Sequence, residues 1–379
     1  MDSDVLEASR GARRPGLIDA RPGRQVLTHV ILASLILVSV TFHLTGIRKN
    51  LPFTHEIDEP AFVVRAVNVA ASGDLNPGWF GNPGSTVIYP LAVAYHAWNV
   101  VGHGGDLVPV DDSLRAAFAS DPGEFYGLGR LLAIAYAILA LPVLYVLSKR
   151  VFNRRIGLMA VALSLLYLPS LSHAQTVRTD SAGTFFGLLA MWMCLRLYDA
   201  PTLRRQLLAG AAIGLAISTR YFMATLIPVL LAIDVLILWR SRDDSQRNEL
   251  AVLTQAVVGG LAVAVAFAAT TPYFFLDFST AWDSVQNEAR ATHLGADGLS
   301  TRGNFVWYLF SAIPGALTWP QAAVATGGAV LVIWRHRPKE LLLLAFPLIS
   351  NGHKHVFASL AEVAHSDPTL HGNPRGLCS

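Results

Sequence analysis

Charged residues are scarce in this chain. Only 15% of its 379 residues are Asp, Glu, Lys or Arg, whereas 53% are hydrophobic; a soluble domain has about 25% charged residues. The formal net charge is only +3, and the basic residues stand in short patches between apolar runs. This pattern excludes an ordinary soluble domain, gives no indication of nucleic-acid binding and predicts a polytopic membrane protein.

Cysteine is almost absent as well. Cys194 lies inside an apolar run and Cys378 lies next to the terminus, so neither a disulfide framework nor a cysteine metal site is predicted. Four histidines between 353 and 371 lack the regular spacing of metal ligands. We therefore predict no metal ligands; no motif specifies a cofactor, and a requirement for a divalent metal is left open.

Long apolar runs dominate what is present. They cover 26–47, 126–147, 156–172, 181–198, 206–219, 221–239, 250–270 and 316–334, and a partial run begins near Leu341. A run of about 20 residues spans a hydrocarbon core of about 30 Å. We expect an all-α, polytopic transmembrane bundle with about eight spans plus a partial one, over residues 26–349.

Basic residues set the expected orientation. Residues 1–25 form an Arg-rich tail with no cleavage site after the first apolar run, which predicts a signal anchor with a cytoplasmic N-terminus in the plasma membrane. The run 87–101 is ambiguous, because counting it as a span would move every later basic cluster outside. We therefore expect it to dip into the membrane from the external loop 48–125, which also holds a short helix over 60–72.

A second external loop is expected over 271–315. Its segment 277–293 has helical amphipathic spacing, which predicts a helix in the interface, either as a simple connector or as part of a substrate cleft.

After Ile349 the chain becomes polar. The apolar run that begins near Leu341 therefore ends after about ten residues, which are too few for a span. Our hypothesis is that the natural reading frame is lost near Ser350, so that 350–379 is not a selected sequence.

Adjacent acids follow the first apolar run. Asp58 and Glu59 precede Pro60, a natural first helical residue, so an acid here could cap a helix and complement its dipole. A carboxylate at an external membrane surface could also serve as a general base that accepts the proton of an attacking hydroxyl. Both roles can hold at once.

Two basic positions lie at the ends of later runs on the same predicted side. Arg178 and Asp180 occupy a short turn; they could simply contact headgroups and begin a helix, or they could grip a phosphate or orient an acceptor. Arg220 follows a short run, which sets it slightly inside the membrane boundary. A cation there needs an anion, either a lipid headgroup or the phosphate of a lipid carrier.

Five segments in order resemble one family. They are IDEPAFVVRAVNVAASGDL (57–75), GNPGSTVIYPLAVAY (81–95), HAQTVRTDSAGTFF (173–186), GLAISTRYFMATLIPVLL (214–231) and TPYFFLDF (271–278). The resemblance is to the GT-C class of membrane glycosyltransferases, in particular the dolichyl-phosphate-mannose protein mannosyltransferases and the aminoarabinose transferases. GNPG stands where many members have His-Pro-Pro, and Arg220 stands where Lys is common.

The resemblance implies an inverting transfer of sugar from a polyprenyl phosphate to an acceptor on the external face. It implies Asp58 as base and Glu59 as a supporting acid, with the departing phosphate at Arg178 or Arg220. The further candidates for substrate contacts are His55, Asn82, Tyr89, Asp180 and His293. The acceptor could be a lipid, a glycolipid or a protein, membrane lipids surround the chain, and neither sugar nor acceptor is specified.

Two other functions stay open. A lipid or solute transporter or flippase would have ionisable residues near the middle of its spans and, in many families, matching inverted halves. Asp234 is the main ionisable residue of that kind, and no internal repeat is visible. The other alternative is a truncated, non-catalytic remnant, since relatives in this class continue for several more spans.

Overall fold

A computed structural model describes residues 22–52, 54, 56–104, 112–242, 249–288, 306–307, 310–311 and 313–347. Within these residues the regular structure is helical and no strand occurs. The helices are α1 (Pro22–Leu44), α2 (Glu59–Ser72), α3 (Ser85–His103), α4 (Asp112–Ser120), α5 (Pro122–Val151), α6 (Arg154–Leu165), α7 (Leu168–Ala174), α8 (Asp180–Asp199), α9 (Leu203–Thr219), α10 (Leu226–Ser241), α11 (Glu249–Thr270), α12 (Tyr273–Leu276), α13 (Phe278–Glu288), α14 (Ile313–Ala316), α15 (Trp319–Arg335) and α16 (338–347).

The membrane-spanning helices follow the apolar runs. By length and composition, α1, α5, α8, α11 and the continuous stretch Tyr221–Ser241, which includes α10, can each cross a membrane. The run 156–172 is not one straight helix, because α6 and α7 meet at an angle of 66°; Pro169 lies in the first turn of α7, where a straight continuation would place its ring against the preceding turn. The protein is an all-α, multi-pass membrane protein, and the predicted count of eight spans stays a prediction.

Helices α9 and α15 have 17 residues each, or about 25 Å of rise, which is slightly less than the hydrocarbon core of about 30 Å.

Helix α9 packs closely on α11 through glycines. A Cβ atom built on Gly210 would lie 2.4 Å from the carbonyl oxygen of Gly259, and one on Gly214 would lie 2.5 Å from that of Val263. The two backbones are therefore in contact, as in small-residue helix pairs of membrane proteins.

The first loop has a hydrophobic core of its own. Helices α2 and α3 bury an apolar face against the start of α5, with Phe62, Leu91, Tyr95 and Phe125 among its most buried members. The Tyr95 hydroxyl donates to the Phe125 carbonyl at 2.8 Å. The expected helices over 60–72 and 87–101 are present as α2 and α3, and their packing fixes the chain that precedes α2.

Polar contacts join the two loops. The side-chain amide of Asn76 donates to the Asp277 carboxylate at 2.9 Å, and the Ser85 hydroxyl donates to Thr271 at 3.0 Å. Helix α13 covers the start of the predicted interface segment 277–293 and exposes Phe278 and Trp282. Residues 289–293, and with them His293, lie outside the described residues.

The bundle has two chemically different ends. Leu44, Pro122, Asp180 and Thr219 lie at one end, which we call the site end, where a hydrogen bond joins the Gln175 side chain to the His43 carbonyl. At the opposite end, the basic end, an ion pair joins α5 to α8 and hydrogen bonds join α6 to α1, α9 to α8 and α10 to α8. Most basic residues of the described connections lie there.

Candidate active site

Asp58 lies at the site end, in the turn immediately before α2. It occupies the N-cap position, but its carboxylate accepts no capping hydrogen bond, whereas Glu59 lies in the first turn, where an acid complements the helix dipole. The backbone of Asp58 is already helical (φ −81°, ψ −26°), and its carboxylate is 2.8 Å from the Nη2 of Arg178. The side chain is 52% exposed, so the carboxylate keeps one side open to solvent.

Arg178 is the centre of an ion-pair cluster. It lies in the turn before α8 and contacts three carboxylates: Asp58, Asp180 through its Nε at 3.2 Å, and Glu56 at 3.7 Å. The planar guanidinium presents its N–H donors in a fixed fork, so one side chain can contact several carboxylates in set directions. Arg178 therefore orients Asp58 relative to the first residue of α8.

Asp180 joins this cluster to Arg220. It is the first residue of α8, as the sequence predicted, and its second carboxylate oxygen contacts the Nη1 of Arg220. Arg220 stands in extended conformation where α9 ends and a 3₁₀ helix begins. Its Nε is buried and has no acceptor among the described residues. The guanidinium thus keeps a donor that an additional acceptor could use.

Glu59 has different surroundings from its neighbour Asp58. Its side chain is 0% exposed and forms a two-point pair with Arg130 of α5, at 2.9 Å to Nε and 2.8 Å to Nη2. The Thr54 hydroxyl and the Val177 backbone N–H, the latter at 2.8 Å, also donate to it. Glu59 therefore ties the start of α2 to α5 and to the turn that carries Arg178.

Hydrogen bonding decides the ionisation of Glu59. Burial alone would raise the pKa of its carboxyl, because it disfavours the charged form. The donors Arg130, Thr54 and Val177 together outweigh burial, so the pKa of Glu59 lies below its ordinary value. A carboxylate held this way is a poor proton acceptor and a strong anchor for the cation beside it.

A cavity of about 320 Å³ opens beside Asp180 and Arg220. It lies between α1, α5, α6, α7, α8 and the 3₁₀ helix, and Tyr167 and His173 are also part of its polar lining. The rest of the wall is mostly apolar, with members such as Leu141, Leu144, Leu165, Leu188 and Met223. We call it the Arg220 cavity; it joins a charged mouth to an apolar interior.

The remaining predicted contacts do not meet in this cluster within the described residues. Asn82 is half-buried in the turn before α3. The Tyr89 hydroxyl donates to the Leu75 carbonyl at 3.0 Å, and burial raises the pKa of Tyr89 to about 12. Tyr89 therefore stays protonated at neutral pH. His55, like His293, lies outside the described residues, and the roles of all four stay predictions.

Sequence reasoning missed Arg130 and Glu56. Arg130 stands within the first turns of α5, inside the apolar run 126–147. An ionisable residue inside such a run indicates a buried partner, and that signal could have found the Glu59–Arg130 pair. Glu56 had no comparable signal, because an exposed acid in a loop is ordinary.

Residues 128–275 match the model of a family described as dolichyl-phosphate-mannose-protein mannosyltransferase. The chain resembles this family of GT-C glycosyltransferases. The resemblance inferred from the motifs is thereby confirmed, and at the level of the family it supports glycosyl transfer from a polyprenyl-linked sugar. The matched residues include Arg130, Arg178, Asp180 and Arg220, whereas Asp58 and Glu59 precede them.

Three solved structures of the Archaeoglobus fulgidus oligosaccharyltransferase are similar, each 14% identical to this chain. The complex with Zn and sulfate has a TM-score of 0.46 and covers 87% of this chain and 48% of that one. The complex with an inhibitory peptide and a dolichol-phosphate has 0.48, 88% and 50%, and the apo form has 0.44, 88% and 50%. The chain thus spans about half the length of the archaeal protein. No curated protein matches the chain.

Proposed function

We propose that this protein is an integral-membrane glycosyltransferase. It moves a sugar from a polyprenyl-phosphate-linked donor to an acceptor on the external face, with inversion at the sugar carbon. The observation that supports this most is the continuous set of contacts Asp58–Arg178–Asp180–Arg220 at the mouth of an apolar cavity. It combines a proton acceptor, an anion-binding cation and room for part of a lipid chain.

The reaction is a single displacement. The acceptor hydroxyl oxygen forms a bond to the anomeric carbon, while the bond from that carbon to the phosphate oxygen breaks. The hydroxyl proton goes to the Asp58 carboxylate, and the electron pair of the broken bond leaves with the lipid phosphate. Attack opposite the leaving group inverts the configuration, and no covalent enzyme intermediate is required.

Asp58 suits the role of general base because its carboxylate is half-exposed and its orientation is fixed by Arg178 at 2.8 Å. A positioned base contributes about 10²–10⁴-fold to such reactions. Glu59 supports the position of Asp58. Its buried pair with Arg130 and its hydrogen bond from Val177 hold α2 and the Arg178 turn together.

Arg220 suits the departing phosphate. It lines the cavity mouth, and its Nε has no acceptor among the described residues. A guanidinium placed where negative charge develops stabilises the transition state. The isoprenoid units nearest the phosphate would lie along the apolar wall of the Arg220 cavity. That Arg178 also contacts the phosphate stays a prediction. The three carboxylates around Arg178 already use its guanidinium, so Arg220 is the better candidate.

The orientation and the acceptor belong to the same proposal. We infer a cytoplasmic N-terminus in the plasma membrane, because the basic connections lie opposite the Asp58 cluster and positive loops stay in the cytoplasm. The description of the matched family names dolichyl-phosphate-mannose and protein. Dolichyl-phosphate-mannose is therefore the first donor to test and protein the first acceptor, ahead of lipids and glycolipids.

A transporter or flippase is the alternative from another class. Its strongest support in the sequence was Asp234, which is buried and accepts hydrogen bonds from the Gln206 amide at 3.1 and 3.2 Å. That pair is surrounded by the hydrophobic core of α8, α9 and α10, so it does not favour a path for a polar substrate. The other alternative, a truncated and non-catalytic remnant, is tested by the same transfer assay as the enzyme.

The test is transfer of labelled mannose from dolichyl-phosphate-mannose to membrane acceptors by the full chain. We expect Asp58→Asn to lower transfer by about 10²–10⁴-fold. Asp112→Asn, which removes an exposed acid paired with Arg115 in the same loop, is the matched control and should transfer normally. Normal transfer by Asp58→Asn would exclude it as base. Absence of transfer from every polyprenyl-phosphate sugar by the wild type would contradict the enzyme and favour the remnant.

A further inference from the structure

A second cavity lies at the basic end of the bundle, on the far side from Asp58. It measures about 420 Å³ and is formed by the last residues of α5, α8 and α10 together with the segment that enters α16. Its size falls within the range of ligand sites, about 300–1,000 Å³. No step of the proposed transfer uses it. We call it the basic cavity.

The lining of the basic cavity is predominantly cationic. Its charged members are the cations Arg150, Arg240, Arg337 and Lys339 and the carboxylates Asp199 and Glu340. Four cations against two carboxylates leave an excess of two positive charges. Asp199 is already shared: one oxygen is 2.6 Å from Arg150 and the other is 2.5 Å from Lys339. A cavity of this charge attracts anions.

Two of the cations have unused capacity for an anion. Arg240 lies over the Tyr198 ring, 4.2 Å from its centroid, and donates to the Tyr198 hydroxyl, but within the described ranges no carboxylate pairs with it. The Nε of Arg150 is buried, and no described residue accepts a hydrogen bond from it. Phosphate oxygens are the natural acceptors for guanidinium donors.

Exposed tryptophans indicate the depth of the cavity in the membrane. Trp239 precedes Arg240 and is 69% exposed, and Trp334, in the last turn of α15, comes three residues before Arg337 and is 76% exposed. Tryptophan is enriched at the level of lipid headgroups, where its ring is apolar and its N–H is hydrated. The helices that form the cavity also end there, so a headgroup of the adjacent leaflet can reach the basic side chains.

We propose that the basic cavity binds the phosphate of an anionic phospholipid headgroup, in the leaflet opposite the one that faces the Asp58 cluster. Arg240 and Arg150 contact the phosphate through the donors that they have free, and Lys339, paired with Asp199, adds positive charge to the cavity. Such a lipid joins α5, α8 and α10 to α16 by charge. Basic pockets between spans on the cytoplasmic side are where anionic headgroups bind in membrane proteins.

The experiment uses the full chain purified in detergent and titrated with phosphatidylglycerol, phosphatidylcholine or glycerol 3-phosphate, with bound molecules counted by native mass spectrometry. We expect phosphatidylglycerol to bind in preference to phosphatidylcholine. Arg240→Gln and Lys339→Gln should each weaken its binding about fivefold, the effect of one basic residue at a membrane surface. Arg204→Gln is the matched control, because Arg204 is an exposed cation at the same end outside the cavity.

Equal binding of the two lipids, or an equal loss in Arg204→Gln, would overturn the proposal. Displacement of phosphatidylglycerol by an equal concentration of glycerol 3-phosphate would assign the cavity to a soluble phosphate and overturn the lipid as its ligand. Lys339→Gln guards against a folding defect in Arg240→Gln, because the Lys339 side chain is 35% exposed. A normal thermal midpoint for Lys339→Gln together with weakened lipid binding supports the proposal.

Discussion

The Nη2 of Arg178 lies 2.8 Å from the Asp58 carboxylate, although 120 positions separate them in the sequence. The same guanidinium contacts Asp180, which in turn contacts Arg220. Four residues that belong to three separate motifs therefore form one chain of contacts at one end of the bundle. The proposed transfer uses this arrangement, with Asp58 as the base and Arg220 as the cation for the phosphate.

Replacement of Arg178 by Lys should lower transfer at least tenfold while leaving the fold intact. An ammonium group is a compact point charge and lacks the fork that contacts Asp58 and Asp180 together. The measurement is kcat and KM for the labelled donor. We expect the loss mainly in kcat, because the change affects the orientation of the base; a loss confined to the donor KM would instead assign Arg178 to phosphate binding.

Arg220→Gln should raise the KM for the lipid-linked donor and also lower kcat. The amide retains hydrogen bonding but loses the charge that meets the phosphate, in the ground state and more strongly as negative charge develops on departure. Steady-state kinetics with dolichyl-phosphate-mannose checks this. An unchanged donor KM and kcat in a folded variant would remove Arg220 from the donor site.

Glu59→Gln should destabilise the protein by about 3–5 kcal/mol, because it leaves the buried Arg130 without its counter-ion. Replacing both residues, as in Glu59→Gln with Arg130→Met, should recover part of the loss, since no unpaired charge then remains. The free energy of unfolding in detergent is the measurement. A single variant as stable as the wild type would mean that the pair does not hold α2 to α5.

The stability of the wild type should fall on acidification below about pH 4.5, and this fall should be smaller in Glu59→Gln. The pKa of Glu59 lies below its ordinary value of 4.5 in the folded protein, so the unfolded chain binds the proton more readily. Its contribution is complete above the unfolded pKa and is lost as pH falls through the folded one. Thermal midpoints of both proteins from pH 6 down to pH 3 compare them; parallel curves would contradict the assignment.

Gly214→Ala should destabilise the bundle and lower transfer, whereas Gly260→Ala should be neutral or slightly stabilising. A methyl group at 214 would lie 2.5 Å from the Val263 carbonyl oxygen, a backbone atom that cannot yield easily, and α9 carries Arg220 at its end. Gly260 has nothing within 4 Å, and alanine is the better helix former there. Thermal midpoints and transfer rates of the two variants are compared; equal effects would exclude the α9–α11 contact as the cause.

Long apolar runs predicted most of the membrane-length helices, because a run that must be buried in hydrocarbon leaves little choice of structure. They could not predict the 66° bend between α6 and α7, which depends on packing around a proline. For Asp58 and Glu59, spacing allowed both a helix cap and a general base. Local spacing indicated a cap, but a cation far away in the sequence competes for the Asp58 carboxylate, and only the tertiary structure brings it there.

Most members of the candidate site were predictable, but Arg130, Glu56 and the different surroundings of the two adjacent acids were not. Asp58, Glu59, Arg178, Asp180 and Arg220 could each be found from acids and cations at the ends of apolar runs. Which of the two adjacent acids is exposed could not, because this depends on Arg130 inside α5 receiving Glu59 in two-point geometry. Adjacency in the sequence does not determine which side chain is buried or which partner it contacts.

The Glu59–Arg130 pair has a consequence for biogenesis. Glu59 precedes Arg130 in the chain, so the ribosome has already delivered the counter-ion when the arginine-bearing span enters the translocon. Burial of that cation can be compensated as soon as α2 folds back on α5, before the later spans exist. Both members of the pair belong to the first loop and to α5, so this contact requires none of the later spans.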